Sequence, residues 1–183
     1  MTILYAIPAG MLLGLIVGGR LGALTGLRFR WAPLALVGLL VQVVLFTELG
    51  DGLAGDAGPA VYVGSTLAVF LAVARNLRLV GLPVVALGAI SNLAAIVANG
   101  GFMPADATAL EIAGFSGPGD HTNSVVLEHP ALAPLTDIFA VPAGIPFANV
   151  FSVGDVLIAV GVIWAIAATM RVGRVRDGAT SPG

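Results

Sequence analysis

Five long apolar stretches alternate with polar segments along the chain. A helix that crosses a bilayer needs about 20 mainly apolar residues, and each stretch approaches that length. The pattern therefore predicts an all-α integral membrane protein with five transmembrane helices. We interpret residues 1–175 as a single membrane domain and residues 176–183 as a disordered cytoplasmic tail. The predicted helices lie at about residues 3–19, 33–47, 60–74, 79–98 and 153–170.

One connecting segment is much longer than the others: residues 99–151 form a loop between the fourth and fifth predicted helices. Long loops in small proteins tend to carry function when they are ordered. Within this loop, 106–114 and 124–129 are predicted as short surface helices. Proline and glycine interrupt the apolar segment 138–151, so it is too short to span and is predicted to lie in the membrane interface.

The charged residues indicate how the five helices are oriented. With five helices, every basic residue falls on one side of the membrane, and nine of the ten acidic residues, all but Asp177, fall on the other. Arginine near helix ends marks the cytoplasmic side. The prediction is therefore an N-terminus outside, a C-terminus in the cytoplasm and an extracytoplasmic loop at 99–151. The basic residues are Arg20, Arg28, Arg30, Arg75, Arg78, Arg171, Arg174 and Arg176.

Composition agrees with a membrane protein. Of the 183 residues, 58% are hydrophobic and 10% are charged, and the mean hydropathy is +1.02. Soluble domains have about 25% charged residues. Because the chain has no cysteine, disulfides, iron–sulfur ligands and thiolate metal sites are excluded. The expected partner is the lipid bilayer, with no nucleic acid and no cofactor.

Glycines recur at every fourth residue through and beyond the first predicted helix, at Gly10, Gly14, Gly18, Gly22 and Gly26. This spacing places a flat strip on one helix face, which another helix backbone can approach closely. The face built on the first three of these glycines is predicted to contact a membrane-protein partner or a second copy of the chain. Alternatively, the series reflects the abundance of glycine in this chain.

The first four helices can also be interpreted as two similar hairpins. The second helix of each begins alike, with P-L-A-L-V-G-L-L-V-Q from Pro33 and P-V-V-A-L-G-A-I-S-N from Pro83. In this alignment Gln42 and Asn92 are equivalent positions, and the implied pseudo-two-fold axis lies along the membrane normal. Chance similarity between apolar sequences is the alternative.

Two side-chain amides, Gln42 and Asn92, lie within the apolar spans. An amide in hydrocarbon is costly unless it is hydrogen-bonded, so both should face the interior of the helix bundle. One interpretation is an interhelical hydrogen bond, including one between the two amides. The other is a cavity between the second and fourth helices, in which both residues bind the polar head of a ligand such as a quinone.

Two further candidate ligand-binding residues lie at the ends of predicted helices. At Asn99 the sequence N-G-G-F-M-P ends the fourth helix, as a glycine cap followed by proline or as a loop that contacts a ligand. At Asp155, the sequence S-V-G-D has the form of a capping box that begins at Ser152. Asp155 is thus predicted to cap the fifth helix or, alternatively, to contact a ligand.

Metal binding and catalysis have little support in the sequence. His121 and His129 lie in the long loop near several carboxylates and are weak metal candidates. However, they form no H-x-x-x-H or H-E-x-x-H pair, and no serine has the context of a nucleophile elbow. No catalytic residue is assigned, and the chain is expected not to be an enzyme.

Two stretches resemble a known family: N-G-G-F-M-P at Asn99–Pro104 and N-V-F-S-V-G-D-V-L-I-A-V-G at Asn149–Gly161. With the five-helix layout, they are similar to an uncharacterised family of small bacterial multi-pass membrane proteins, a domain of unknown function. The resemblance implies a location in the bacterial inner membrane. It implies no activity and no catalytic residues.

Three functions compete on these grounds. The first is a non-enzymatic scaffold or accessory subunit of a membrane complex. The second is a protein that binds or carries a small quinone-like or lipid-like molecule between the second and fourth helices, beneath the outer loop. The third is a membrane enzyme with a metal site in that loop.

Overall fold

The computed structural model describes residues 3–115 and 124–179. The described chain is mostly helical, with 3₁₀ turns and four short strands in addition. The helices are α1 (Ile3–Ile16), α2 (Ala32–Leu45), α3 (Glu48–Ala54), α4 (Gly58–Ala74), α5 (Leu82–Ala98), α6 (Ala107–Ala113) and α7 (Val153–Ala179). The strands are β1 (Met103–Pro104), β2 (Ser124–Val125), β3 (Phe139–Val141) and β4 (Asn149–Phe151).

The five apolar helices follow the five apolar stretches of the sequence. Two helical segments, at residues 52–74 and 153–171, are long and apolar enough to cross a membrane. Three shorter apolar helices lie at residues 4–16, 32–45 and 82–98.

The helix ends differ from the predicted ends where backbone conformation decides them. α1 stops at Ile16 because Gly18 has a φ of 79°, and the Gly19 amide then donates to the Gly14 carbonyl at 2.8 Å. This left-handed glycine closes the helix before residue 19. α5 begins three residues later than predicted, after Gly81, which has a φ of 86°.

α7 is longer than predicted. It continues through Ala179, whereas the sequence predicted a helix end near residue 170 and a disordered tail from residue 176. No proline occurs between Val153 and Ala179, and the next one is Pro182. Nothing in the segment therefore breaks the backbone hydrogen-bond ladder. Residues 180–183 lie outside the described residues.

The apolar helices pack side by side in the order α1, α7, α5, α4, α2. α4 runs antiparallel to α2, since Phe46 packs on Tyr62 at one end, while a Cβ on Gly38 would lie 2.8 Å from Val69 Cγ2 further along. In this order α1 and α2 are the two end helices. α1 packs on α7 and α2 packs on α4, with α5 between α7 and α4. α1 and α2 therefore do not pack against each other as α4 and α5 do, and the helix packing gives the two-hairpin interpretation no support.

The glycine series of α1 is used inside the chain. A Cβ on Gly10 would lie 3.0 Å from Ile166 Cβ, and one on Gly14 would lie 3.3 Å from Met170 Cβ, both on α7. Gly18 follows the helix, and Gly22 and Gly26 lie in a 3₁₀ turn with open space around them. The series is therefore not one continuous helix face, and the part on the helix packs against α7.

Three segments that carry arginine meet at one end of the helices. The side chain of Asn76, after α4, accepts from the Arg30 amide at 2.8 Å and donates to the Arg30 carbonyl at 2.7 Å. The Arg20 amide donates to the Met170 carbonyl of α7 at 3.0 Å. These bonds join the turns before α2, after α1 and after α4 to the helix bundle.

The long loop lies at the opposite end and has a small core of its own. Its buried residues are Ala105, Ala109, Ala113 and Val150. The loop is also attached to α1, because the Tyr5 hydroxyl donates to the Pro146 carbonyl, and the Tyr5 and Phe147 ring centroids are 6.1 Å apart. The described part of the loop is thus a folded cap on the helix bundle.

The cap contains strands, so the prediction of an all-α protein is wrong in this part of the chain. β1 pairs with β2 in parallel, with Met103 opposite Ser124. The predicted helix at 124–129 is therefore wrong, whereas the one at 106–114 is confirmed as α6, capped by Asp106 at 3.0 Å from the Ala109 amide. The segment 138–151 forms the antiparallel pair β3–β4. The paired residues of this segment thus exchange backbone hydrogen bonds within the cap.

Candidate functional site

Asn92, Ser152 and Asp155 form a hydrogen-bonded cluster where α5 meets the start of α7. The Ser152 hydroxyl lies 2.8 Å from Asn92 Oδ1 and 3.2 Å from Asp155 Oδ2, and Asn92 Nδ2 donates to Asp155 Oδ1 at 3.0 Å. Ser152 is completely buried, whereas the other two are half-buried. The cluster joins two helices through side chains that are 60 to 63 residues apart in sequence.

The same residues form the N-terminal cap of α7. The Ser152 hydroxyl accepts from the Asp155 amide at 3.1 Å, and Asp155 Oδ2 accepts from the Ser152 amide at 3.1 Å. These reciprocal bonds are those of a capping box, with aspartate in place of glutamate. The predicted capping role of Asp155 is confirmed. A carboxylate here also stabilises the positive end of the helix dipole.

The cluster depends on glycines that bring α5 and α7 into close contact. A Cβ on Gly154 would lie 2.7 Å from both Asn92 Cγ and the Gly88 carbonyl oxygen. Seven residues along α7, a Cβ on Gly161 would lie 2.7 Å from the Val85 amide nitrogen and 2.8 Å from the Gly81 carbonyl oxygen. The two backbones therefore pack against each other with no space for a side chain between them.

Gln42 lies in a different helix interface. Its Nε2 donates to Thr66 Oγ1 at 3.2 Å, joining α2 to α4. Asn92 joins α5 to α7 instead, so the two amides do not bond to each other, and α4 separates the helices that carry them. The structure therefore brings Asn92 and Asp155 together among the predicted ligand-binding residues and leaves Gln42 apart.

Asn99 attaches the cap to the end of α5. Its Nδ2 donates to the Ala131 carbonyl at 2.9 Å, and its Oδ1 accepts from the Ala131 amide at 2.8 Å. Gly100 and Gly101 follow with φ values of 71° and 93°, and the Gly101 amide donates to the Ile96 carbonyl at 2.8 Å. The predicted glycine cap is confirmed, and the amide contacts a loop of the same chain.

Of the two histidines that were weak metal candidates, the structure describes one. His129 is exposed, and His121 lies outside the described residues. Among the residues that the structure describes, no group of three His, Asp or Glu side chains is placed to hold a metal ion.

A pocket of about 480 Å³ lies at the cap end of α2 and α4. The glycine break after α5 forms one wall through Gly101 and Phe102. Gly101 packs closely there, since a Cβ on it would lie 3.1 Å from Pro59 Cα. The lining also includes Leu45, Phe46, Asp56, Pro59 and Tyr62.

Sequence reasoning missed several of these residues. Asn76 lies between two arginines in a short turn, and no local pattern distinguishes it from an ordinary turn residue. Thr66 was detectable, because it is a polar residue inside an apolar run and can pair with an amide on another helix. The spacing of seven between Gly154 and Gly161 on α7 also signals one packed helix face.

The fold and its polar clusters define a mostly helical protein with a folded cap at one end. Its candidate polar side chains bond to neighbouring helices and to the cap.

The chain belongs to DUF5317, a family of unknown function whose model matches residues 26–167. The match confirms the predicted membership in a family of unknown function, and both stretches quoted above lie inside it. The matched region extends from the residues before α2 into α7, whereas α1 precedes it. No curated protein matches this chain, and neither does any solved structure.

Proposed function

We propose that this chain is a multi-pass integral membrane protein that serves as a non-enzymatic scaffold or accessory subunit of a membrane complex. The observation that carries the proposal is the use of its polar groups. Gln42 bonds to Thr66, Asn92 to Asp155 and Ser152, and Asn99 to the cap. These bonds hold helices and loop together. They favour a structural role for the residues that were the best candidates for chemistry.

In the proposed topology all five apolar helices cross a bacterial inner membrane. The arginine-bearing end faces the cytoplasm, and the cap faces outward. Support comes from the packing, in which α1 and α7 run parallel and α5 runs antiparallel to α7. The arginines are thereby gathered at one end, as the positive-inside rule requires.

A partner would contact the outward faces of the end helices, since α7 covers the glycines of α1. Leu12 on α1 and Leu40 on α2 are both exposed apolar side chains, with exposed fractions of 60% and 62%. Lipid or another protein can cover such faces.

Cross-linking in native membranes and sizing after gentle detergent extraction test the subunit role. We expect a stable complex larger than one chain that is lost with Leu40→Trp or with Leu12→Trp. The unaffected variant of the two is the control for folding. If both methods give only monomers, the subunit proposal is overturned.

A second candidate function is the binding of a small molecule. The observation in its favour is the pocket of about 480 Å³ at the cap end of α2 and α4. Its volume is within the usual range for small-molecule sites, about 300–1,000 Å³. The pocket replaces the site first expected between Gln42 and Asn92, because those amides lie in separate helix interfaces.

A further inference from the structure

The pocket has two aromatic walls set at right angles. The ring centroids of Phe46, at the end of α2, and Tyr62, on α4, are 5.0 Å apart, and the ring planes meet at 82°. Tyr62 is buried and Phe46 half-buried, so packing fixes the corner that the rings form. Phe102 adds a third ring, which is 44% exposed at the pocket.

The pocket also carries a negative charge. Asp56, in the 3₁₀ turn before α4, is exposed and lines the pocket. The described arginines lie at the other end of the helices, so no arginine in that part of the chain neutralises this carboxylate. An uncompensated negative charge raises the local concentration of cations.

Aromatic faces together with a carboxylate favour one class of ligand. Ring faces carry negative electrostatic potential and attract cations, and quaternary ammonium groups are recognised by cages of aromatic rings. A neutral quinone would make no use of Asp56, and an anion would be repelled by it. Leu45 and Pro59 of the lining can meanwhile cover the apolar part of a ligand.

We infer that the pocket binds a small organic cation. Its ammonium group has the corner formed by the Phe46 and Tyr62 rings on one side and the Asp56 carboxylate on the other. The apolar part of the ligand contacts Leu45 and Pro59. The inference rests on the small-molecule-binding function proposed above and names its ligand class. The ammonium group belongs either to a free small molecule or to the headgroup of a lipid.

Calorimetry on the full chain in phosphatidylglycerol nanodiscs tests the inference, with choline chloride as the probe. The matched ligand control is 3,3-dimethylbutan-1-ol, in which carbon replaces the charged nitrogen. We expect choline to bind at least about tenfold more tightly than the alcohol, as cation–π and carboxylate contacts imply. Equal affinities would overturn the inference while leaving a neutral-ligand pocket in place.

Substitutions in the pocket lining test whether choline binds there. Asp56→Asn is expected to weaken choline binding about tenfold. Glu111→Gln is the control, because it removes a carboxylate from an exposed position on α6, away from the pocket. Phe46→Leu and Phe102→Leu should weaken binding as well. Phe102 is exposed, so its replacement keeps the test valid if Phe46→Leu unfolds the protein.

Two outcomes separate the inference from the function on which it rests. If choline does not bind, or if Asp56→Asn binds it as tightly as the original chain, the cation inference is overturned. Saturable binding of a short-chain quinone that is lost in the Phe102→Leu variant would then retain the small-molecule function. If neither probe binds, both are overturned.

A final comparison distinguishes the two sources of the ammonium group. Replacing half of the phosphatidylglycerol with phosphatidylethanolamine lowers the apparent choline affinity if a lipid headgroup occupies the pocket. Unchanged affinity indicates a free small molecule.

Discussion

At the scale of single residues, the cluster at the start of α7 satisfies several polar groups at once. Asp155 accepts from Asn92 and from the Ser152 amide, and Ser152 is bonded on its hydroxyl side as well. Buried polar groups cost free energy when a partner is removed, because the remaining group is left without a hydrogen bond. The free-energy cost of a substitution therefore depends on how many buried polar groups lose a hydrogen bond.

Replacement of Asn92 tests this dependence. Asn92→Leu removes one hydrogen bond from Asp155 Oδ1 and one from the Ser152 hydroxyl, so we expect the free energy of unfolding to fall by about 1–3 kcal/mol. Gln42→Leu is the matched control, since it removes a single 3.2 Å bond to Thr66 and should cost less, about 1 kcal/mol. Unfolding in mixed detergent micelles measures both. A larger loss for Gln42→Leu would contradict the role of the cluster.

Some residue roles could be predicted from the sequence and others could not. The cap at Ser152 and Asp155 was predictable, because a capping box is a local pattern of four residues. Thr66 was visible as a candidate partner for an amide, but its pairing with Gln42 was not predictable, because an apolar run with one amide does not show which helix faces it. The bonds of Asn76 to Arg30 join two turns that are 46 residues apart, and no local pattern encodes such a distance.

At the scale of helices, glycine spacing determines which pairs pack most closely. The evenly spaced series beginning at Gly10 suggested a free face, yet its helical part packs on α7. The closer contact is between α5 and α7, where Gly88 and Gly154 place backbone against backbone. α7 takes part in both interfaces, so the arrangement of the helices in a row depends on both.

A methyl group placed in the α5–α7 interface should therefore destabilise the protein. In Gly154→Ala the new Cβ meets the Asn92 side chain and the Gly88 carbonyl oxygen, and overpacking of this kind costs about 1–3 kcal/mol. The control is Gly64→Ala on α4, where nothing lies within 4 Å of the added atom. There the thermal unfolding temperature should stay the same or rise, since alanine favours helix. Equal losses in the two variants would refute the close packing.

The number of apolar helices was predictable from hydropathy, but their neighbours were not. Each predicted helix is apolar on most sides, so the sequence does not show which face meets α7 or α4. The short strands were missed for a related reason. β1 and β2 have two residues each, too few for an alternating pattern to be visible. Their pairing depends on the folded cap.

At the scale of the whole molecule, the distribution of charge and the packing of the helices distinguish the same two ends. The arginine-bearing turns are joined by Asn76 at one end, and the cap with its acidic pocket lies at the other. If the helices cross a membrane in the orientation proposed above, these ends face different compartments, and the pocket opens on the side opposite the arginines. A ligand for the pocket would then arrive from outside the cell or from the outer leaflet.

The orientation can be tested directly, because the chain has no cysteine of its own. Gly26→Cys is exposed, in open space at the arginine-bearing end, and Thr108→Cys is exposed on α6 in the cap. In intact cells a membrane-impermeant maleimide should label the cap variant only, and Gly26→Cys should react after the membrane is permeabilised. The original chain controls for background labelling. Labelling of Gly26→Cys in intact cells, with Thr108→Cys protected, would reverse the orientation. Labelling of both would exclude a membrane barrier between the ends, because a sealed bilayer keeps the reagent from one of them.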